Sequence, residues 1–99
     1  QKESLMAETS KLLSQLLQKP EAYVMVSLRS GATMMMGGTT DPCAYLAFKS
    51  LGLPESSTAV FSSALCKLLH AMTGIDPSRI YIEFTAPERH LWGWNNATF

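Results

Sequence analysis

Neither sign of charge dominates this sequence. Its 99 residues carry eight Lys plus Arg against eight Asp plus Glu, a formal net charge of zero. A nucleic-acid partner would call for a basic patch or stripe, so none is expected. Long hydrophobic runs are also missing. None approaches the roughly 20 residues that cross a bilayer, and no basic-then-apolar leader opens these residues, so no membrane partner is expected. Cysteine is confined to Cys43 and Cys66. They are far apart and form no CxxC, which excludes a disulfide scaffold and leaves two buried, reduced thiols as the reading. That fits a reducing compartment, and the expected location is the cytoplasm, with secretion without a leader left open. His70 and His90 have no partner at metal-ligand spacing, so neither a metal nor a cofactor is expected.

The apolar fraction is 46%, too high for a disordered chain and ordinary for a folded one. The length suggests a single domain over residues 1–99. Such a chain buries only a small core, and oligomerisation would help it.

Leu5, Leu12, Leu13, Leu16 and Leu17 share one helical face, which predicts a first helix over Ser4 to Gln18, ended before Pro20. Tyr23 to Leu28 reads as a buried strand, Thr33 to Met36 as a short second strand stopped by Gly37-Gly38, and Cys43 to Lys49 as a third. After a loop over Leu51 to Thr58, the stripe Phe61, Ala64, Leu65, Leu68, Leu69 and Met72 predicts a second helix with Gly74 at its C′ position. Arg79 to Phe84 then alternates as a strand, and Asn95-Asn96 marks a turn in the aromatic tail. Met34, Met35 and Met36 read as soft core rather than as ligands.

Two segments match each other. KLLSQLLQKPEAYVMVSL begins at Lys11 and KLLHAMTGIDPSRIYIEF at Lys67. Each is an amphipathic helix, a proline at nearly the same offset, and an apolar strand, which reads as an internal helix–strand repeat. The second copy follows a strand and so forms a β-α-β unit. By symmetry a strand should precede the first helix, about six residues plus a short loop. Lys19 stands at the first helix–strand junction. One reading makes it a cap of its own helix's carbonyls. The other makes its ammonium an anchor for a substrate carboxylate.

The stretches QKPEAYVMVSL, GGTTDPCAY, KSLG, DPSRIYIEF and WGWNNATF occur in that order. Together they resemble the macrophage migration inhibitory factor (MIF) family of the tautomerase superfamily, over essentially the whole chain from the first helix onward. The resemblance implies an α/β fold of two pseudo-symmetric β-α-β units, forming a sheet with two helices on one face. It implies a homotrimer with sites between subunits, and ketoenol tautomerisation of phenylpyruvate-like 2-keto acids. The family base is an N-terminal proline. An unperturbed α-amino group titrates near about 7.7–8.0, and a buried secondary amine beside a lysine falls lower, into the range general-base catalysis needs.

Carried over by position, the resemblance makes Lys19 the carboxylate anchor and Leu51 the loop residue whose N–H meets the same carboxylate. Tyr23, Trp92, Trp94 and Phe99 become the aromatic rim, and Tyr81 the tyrosine that a neighbouring subunit supplies. Taken singly, the tyrosines also read as ordinary strand residues, and Trp94 and Phe99 as tail packing. The chain departs from the family at its start. It opens with Gln1, so the first strand and its proline are absent and the catalytic residue is unassigned. Either that segment lies outside these residues or the mature protein begins here. The second case would leave unpaired sheet groups, so the first is the expectation. Glu83 stands where the family often has asparagine, and either pairs with a cation or is simply solvated. Leu46 replaces a second cysteine, so a CxxC thiol chemistry is unsupported. The rival to the enzyme reading is a non-catalytic, cytokine-type binding protein.

Overall fold

Parallel strands need a crossover rather than a tight turn, and the centre of this fold is one such unit. A computed structural model describes residues Gln1–Phe99. Strand β1 (Ala44–Lys49) leads through helix α2 (Thr58–Thr73) to strand β2 (Ile80–Thr85). The strands pair in parallel from Ala44↔Ile80 to Lys49↔Thr85. Helix α1 (Lys2–Leu17) precedes this unit, and a two-residue hairpin, β3 (Gly93–Trp94) with β4 (Ala97–Thr98), follows it. Asn95 and Asn96 turn that hairpin, both at positive φ (53° and 63°), as a type I′ turn requires.

Along β1 and β2 burial alternates. Leu46, Phe48, Ile82 and Phe84 face the helices, while Tyr45, Ala47, Tyr81 and Glu83 face outward. The core is Phe48, Leu53, Phe61 and Leu65, with Leu12, Leu13, Leu16 and Leu17 of α1 packed against it. Phe48 stacks on Phe61 with centroids 5.8 Å apart, and lies 5.3 Å from its cross-strand mate Phe84. Every position of the α2 stripe is buried or half-buried.

The repeat is visible in three dimensions. Both helices have 16 residues. Each ends in a left-handed residue at the same offset from its leading lysine, Gln18 (φ 54°) and Gly74 (φ 78°). A 3₁₀ turn follows each, Glu21–Tyr23 and Pro77–Arg79. Asp76 caps the second, accepting bonds from the Ser78 N–H and hydroxyl, which holds its carboxyl below the usual range.

Two expected strands are corrected. Tyr23 lies in the 3₁₀ turn, and from Met25 to Met35 no backbone group makes a main-chain hydrogen bond. Val24, Val26 and Leu28 are half-buried and alternate with exposed Tyr23, Met25 and Ser27. The segment keeps strand periodicity but has no neighbouring strand to pair with. The Thr33–Met36 strand reduces to one bridge, Met36↔Thr39, closed over Gly37 and Gly38 at positive φ (62° and 79°). Helix α1 also begins before Ser4, at Lys2, and stops at Leu17. The third strand starts at Ala44 rather than Cys43, and the last at Ile80 rather than Arg79.

Arg79 instead organises the loop from Met36 to Pro42. Its guanidinium donates to the carbonyls of Met36 (3.1 Å), Thr39 (3.3 Å), Asp41 (3.0 Å) and Pro42 (3.0 Å).

Only seven of 99 residues are buried, and the accessible surface is 7093 Å². A compact monomer of 10.9 kDa would expose about 5,600 Å². The radius of gyration is 14.5 Å, against about 13 Å for a compact chain of this length. The segment from Met25 to Met35 is unpaired, and Tyr45 and Tyr81 leave the outer sheet face uncovered.

Leu65, 2% exposed, sets the first test. Leu65→Ala is expected to destabilise the fold by about 3 kcal/mol in urea titration, whereas Val60→Ala, at a position 61% exposed, should stay within about 0.5 kcal/mol. Arg79→Lys keeps the charge but loses the planar fork. It should make the 36–42 loop the first site of proteolytic cleavage, read by mass spectrometry, with the parent protein resistant there.

Candidate functional site

The chain reverses sharply at Gln18, and that reversal fixes Lys19. Ser14 holds the Lys19 backbone twice: the Lys19 N–H donates to the Ser14 carbonyl (3.1 Å), and the Ser14 hydroxyl donates to the Lys19 carbonyl (2.6 Å). A left-handed residue other than glycine costs about 1–2 kcal/mol, and these two bonds offset it.

The Lys19 side chain does not cap its own helix. It crosses to the loop after β1, where its ammonium donates to the Leu51 carbonyl (2.6 Å) and the Ser50 hydroxyl (3.1 Å). An ammonium has three donors, so one remains. The Leu51 N–H makes no bond to any protein group. Two donors, one of them charged, therefore stand free within a residue of each other at a half-buried junction. A carboxylate accepts such a pair well.

Three of the four expected rim residues come together. Tyr23 meets Trp94 edge-on with centroids 5.6 Å apart, and Trp94 stacks on Phe99 at 5.9 Å. The tail hairpin brings them there, and the Phe99 N–H donates to the Trp92 carbonyl (3.1 Å). Trp92 itself is half-buried and takes no part in the ring cluster. All three clustered rings are exposed, an unusual use of large apolar area unless something packs on it. Arg89, which sequence reasoning passed over, adds a cation 6.0 Å from the Phe99 centroid.

Tyr81 lies apart from these groups, 66% exposed on the outer sheet face. Its cross-strand mate is Tyr45, whose hydroxyl donates to the Glu83 carboxylate. Glu83 thus pairs with a phenol, not a cation. That bond raises the Tyr45 phenol above its ordinary value of 10.0, with desolvation and the Glu83 charge adding to it.

Other singled-out residues are engaged locally. His70 Nδ1–H donates to the Ile75 carbonyl (3.0 Å), and His90 sits 3.4 Å from Glu88. Cys43 and Cys66 are free and half-buried. A shallow groove lined by Leu53, Glu55, Thr58, Phe84 and Ala86 contains neither Lys19 nor the ring cluster. No helix is long and apolar enough to cross a membrane.

Comparison with known proteins gives this geometry its context. The sequence model described as "Macrophage migration inhibitory factor (MIF)" matches residues 2–99. The chain belongs to the macrophage migration inhibitory factor family. It is similar to the macrophage migration inhibitory factor of Meriones unguiculatus, 34% identical over 98 residues that make up 98% of this chain and 85% of that protein. It is equally similar, at 34% identity, to the homolog from Brugia malayi, over 97% of this chain and 84% of that one. Among solved structures, the homologue from Prochlorococcus marinus matches at 44% identity with a TM-score of 0.93, covering 98% of this chain and 86% of its own. The Toxoplasma gondii protein matches at 31% identity and a TM-score of 0.89, over 98% of this chain and 86% of its own. The MIF fold expected from the sequence is therefore present: mixed α/β, two helices, small sheets. Proteins of the MIF family are generally oligomeric.

The Tyr45–Glu83 pair carries its own test. A raised phenol contributes stability that is complete below the unfolded value and lost as pH rises through the folded one. Glu83→Gln should bring the Tyr45 midpoint down toward the ordinary tyrosine value in an NMR titration of its ring carbon.

Proposed function

We propose that this protein is a ketoenol tautomerase of phenylpyruvate-like 2-keto acids. The observation that carries the reading is the held ammonium of Lys19, with one donor left over beside the free Leu51 N–H. In this reading both donors grip the substrate carboxylate, and the Tyr23, Trp94 and Phe99 rings receive its aromatic end. Trp92 is tied to this cluster through its backbone carbonyl, which accepts from the Phe99 N–H.

The reaction is an isomerisation. The C–H bond at C3 breaks, its electron pair forms the C2–C3 double bond, and the carbonyl pair moves onto oxygen, which takes up a proton. A base is needed at C3. The family resemblance supplies one as an N-terminal proline, which is not among the five prolines of these residues. Lys19 serves as binding group and as nearby charge. Negative charge develops along the enolate–carboxylate system, and a fixed ammonium stabilises it more in the transition state than in the keto acid.

Assembly belongs to the same proposal. The outward face of β1 and β2, with Tyr45 56% and Tyr81 66% exposed, and the excess surface of the single chain support a homotrimer. Tyr81 then acts at the neighbour's site rather than its own.

Lys19→Ala in the full-length protein decides the matter. KM for phenylpyruvate should rise at least about tenfold, the loss of a charge-assisted bond, with a smaller change in kcat. An unchanged KM removes the anchor role. A full-length protein without tautomerase activity points to the rival, a binding protein of the same fold.

A further inference from the structure

Ser50 is the one buried polar residue of the chain, 6% exposed. Nothing about a serine after a strand marks it in the sequence. Its place in the structure does. Its N–H donates to the Thr85 carbonyl (3.1 Å), which adds a rung to the ladder beyond Lys49↔Thr85. Its hydroxyl accepts from the Lys19 ammonium (3.1 Å) and donates to the Leu51 carbonyl (3.1 Å), the same carbonyl that takes the shorter Lys19 bond (2.6 Å).

Lys19 Nζ, Ser50 Oγ and Leu51 O therefore close a triangle of hydrogen bonds. A lysine side chain has roughly 2 kcal/mol of rotamer entropy and a flexible four-carbon stem. One bond to a carbonyl leaves the ammonium free to swing about that contact. Two acceptors on a rigid base fix its direction and so the direction of its third proton. Ser50 supplies the second acceptor, and its backbone is tied into the sheet.

We infer that Ser50 is the positioning residue for Lys19, aiming the ammonium's remaining donor at the substrate carboxylate. The inference rests on the tautomerase reading for its kinetic consequence, but the ammonium's order is a property of the protein alone. Ser50 touches no reacting atom, and its effect passes entirely through Lys19.

The experiment uses the full-length protein with Ser50→Ala, Ser50→Thr and Lys19→Ala, and two readouts. The first is the Lys19 ammonium resonance in ¹⁵N-detected spectra, where a doubly held group exchanges its protons slowly. The second is steady-state kinetics with phenylpyruvate. Ser50→Ala should lose the slow-exchanging resonance and raise KM by about three- to tenfold, the worth of an ordinary hydrogen bond, since the ammonium keeps its Leu51 contact, with kcat within about twofold. Ser50→Thr, which keeps the hydroxyl, should restore both. If Lys19→Ala raises KM while Ser50→Ala leaves KM and the resonance as they were, the positioning role is overturned and the tautomerase reading stands. If Ser50→Ala loses the resonance but neither variant changes KM, the tether is real and the carboxylate role of Lys19 is overturned. Should Ser50→Ala not fold, Ser50→Cys keeps the volume with a weaker acceptor and gives the same contrast.

Discussion

Parallel strands cannot be joined by a two-residue turn, and β1 and β2 pair in parallel over six rungs. That constraint dictates the rest. The connection must pass over one sheet face, and α2 is that connection. It brings Phe61 and Leu65 onto Phe48, and this contact makes the core. Helix α1 then has a surface to pack on, although none of its own residues is buried. The ladder also decides where the site is. Its extension through Ser50 fixes the start of the following loop, and Lys19 reaches across to that point.

The helices were legible because their signal is local. A stripe at i, i+3, i+4 and i+7 reports on one face of one element, and Gly74 after it marks the end. The strands β1 and β2 were legible for a different reason: both alternate and both are bounded by turn residues. Tyr23 to Leu28 has the same alternation and failed as a strand, since pairing depends on a neighbour and not on the segment. The lysine's partners lay beyond reach for a related reason. Reading along the chain placed Lys19 at a junction but could not distinguish a helix cap from a cross-chain contact. The choice rests on Gln18 leaving the helix early, and glutamine gives no warning of a left-handed backbone. Arg79 was hidden in the same way. An arginine at a strand edge ordinarily reads as solvated, and its four carbonyl partners are far away in sequence.

The repeat explains more of the site than a search for motifs does. Both helix ends use a left-handed residue, and both use a side chain of the last turn to hold the carbonyl just beyond it. Ser14 does this for Lys19 and His70 does it for Ile75. The two junctions share one backbone plan and differ in what they display, an ammonium at one and an apolar side chain at the other. Charge at a single junction is what turns a symmetric scaffold into a directional one.

Consider finally the arginine that closes the 36–42 loop. All its partners are carbonyl oxygens, so the bonds are between a charge and dipoles. A carboxylate partner would be neutralised in acid and shielded by salt, whereas a peptide carbonyl neither titrates nor draws a counter-ion. At separations near 3 Å the interaction also lies well inside a Debye length of about 8 Å. The loop that leads into β1 is thus fastened by a contact that has no titrating acceptor and that physiological salt screens little, so the first strand of the parallel pair keeps its starting point when acid would undo a carboxylate tie.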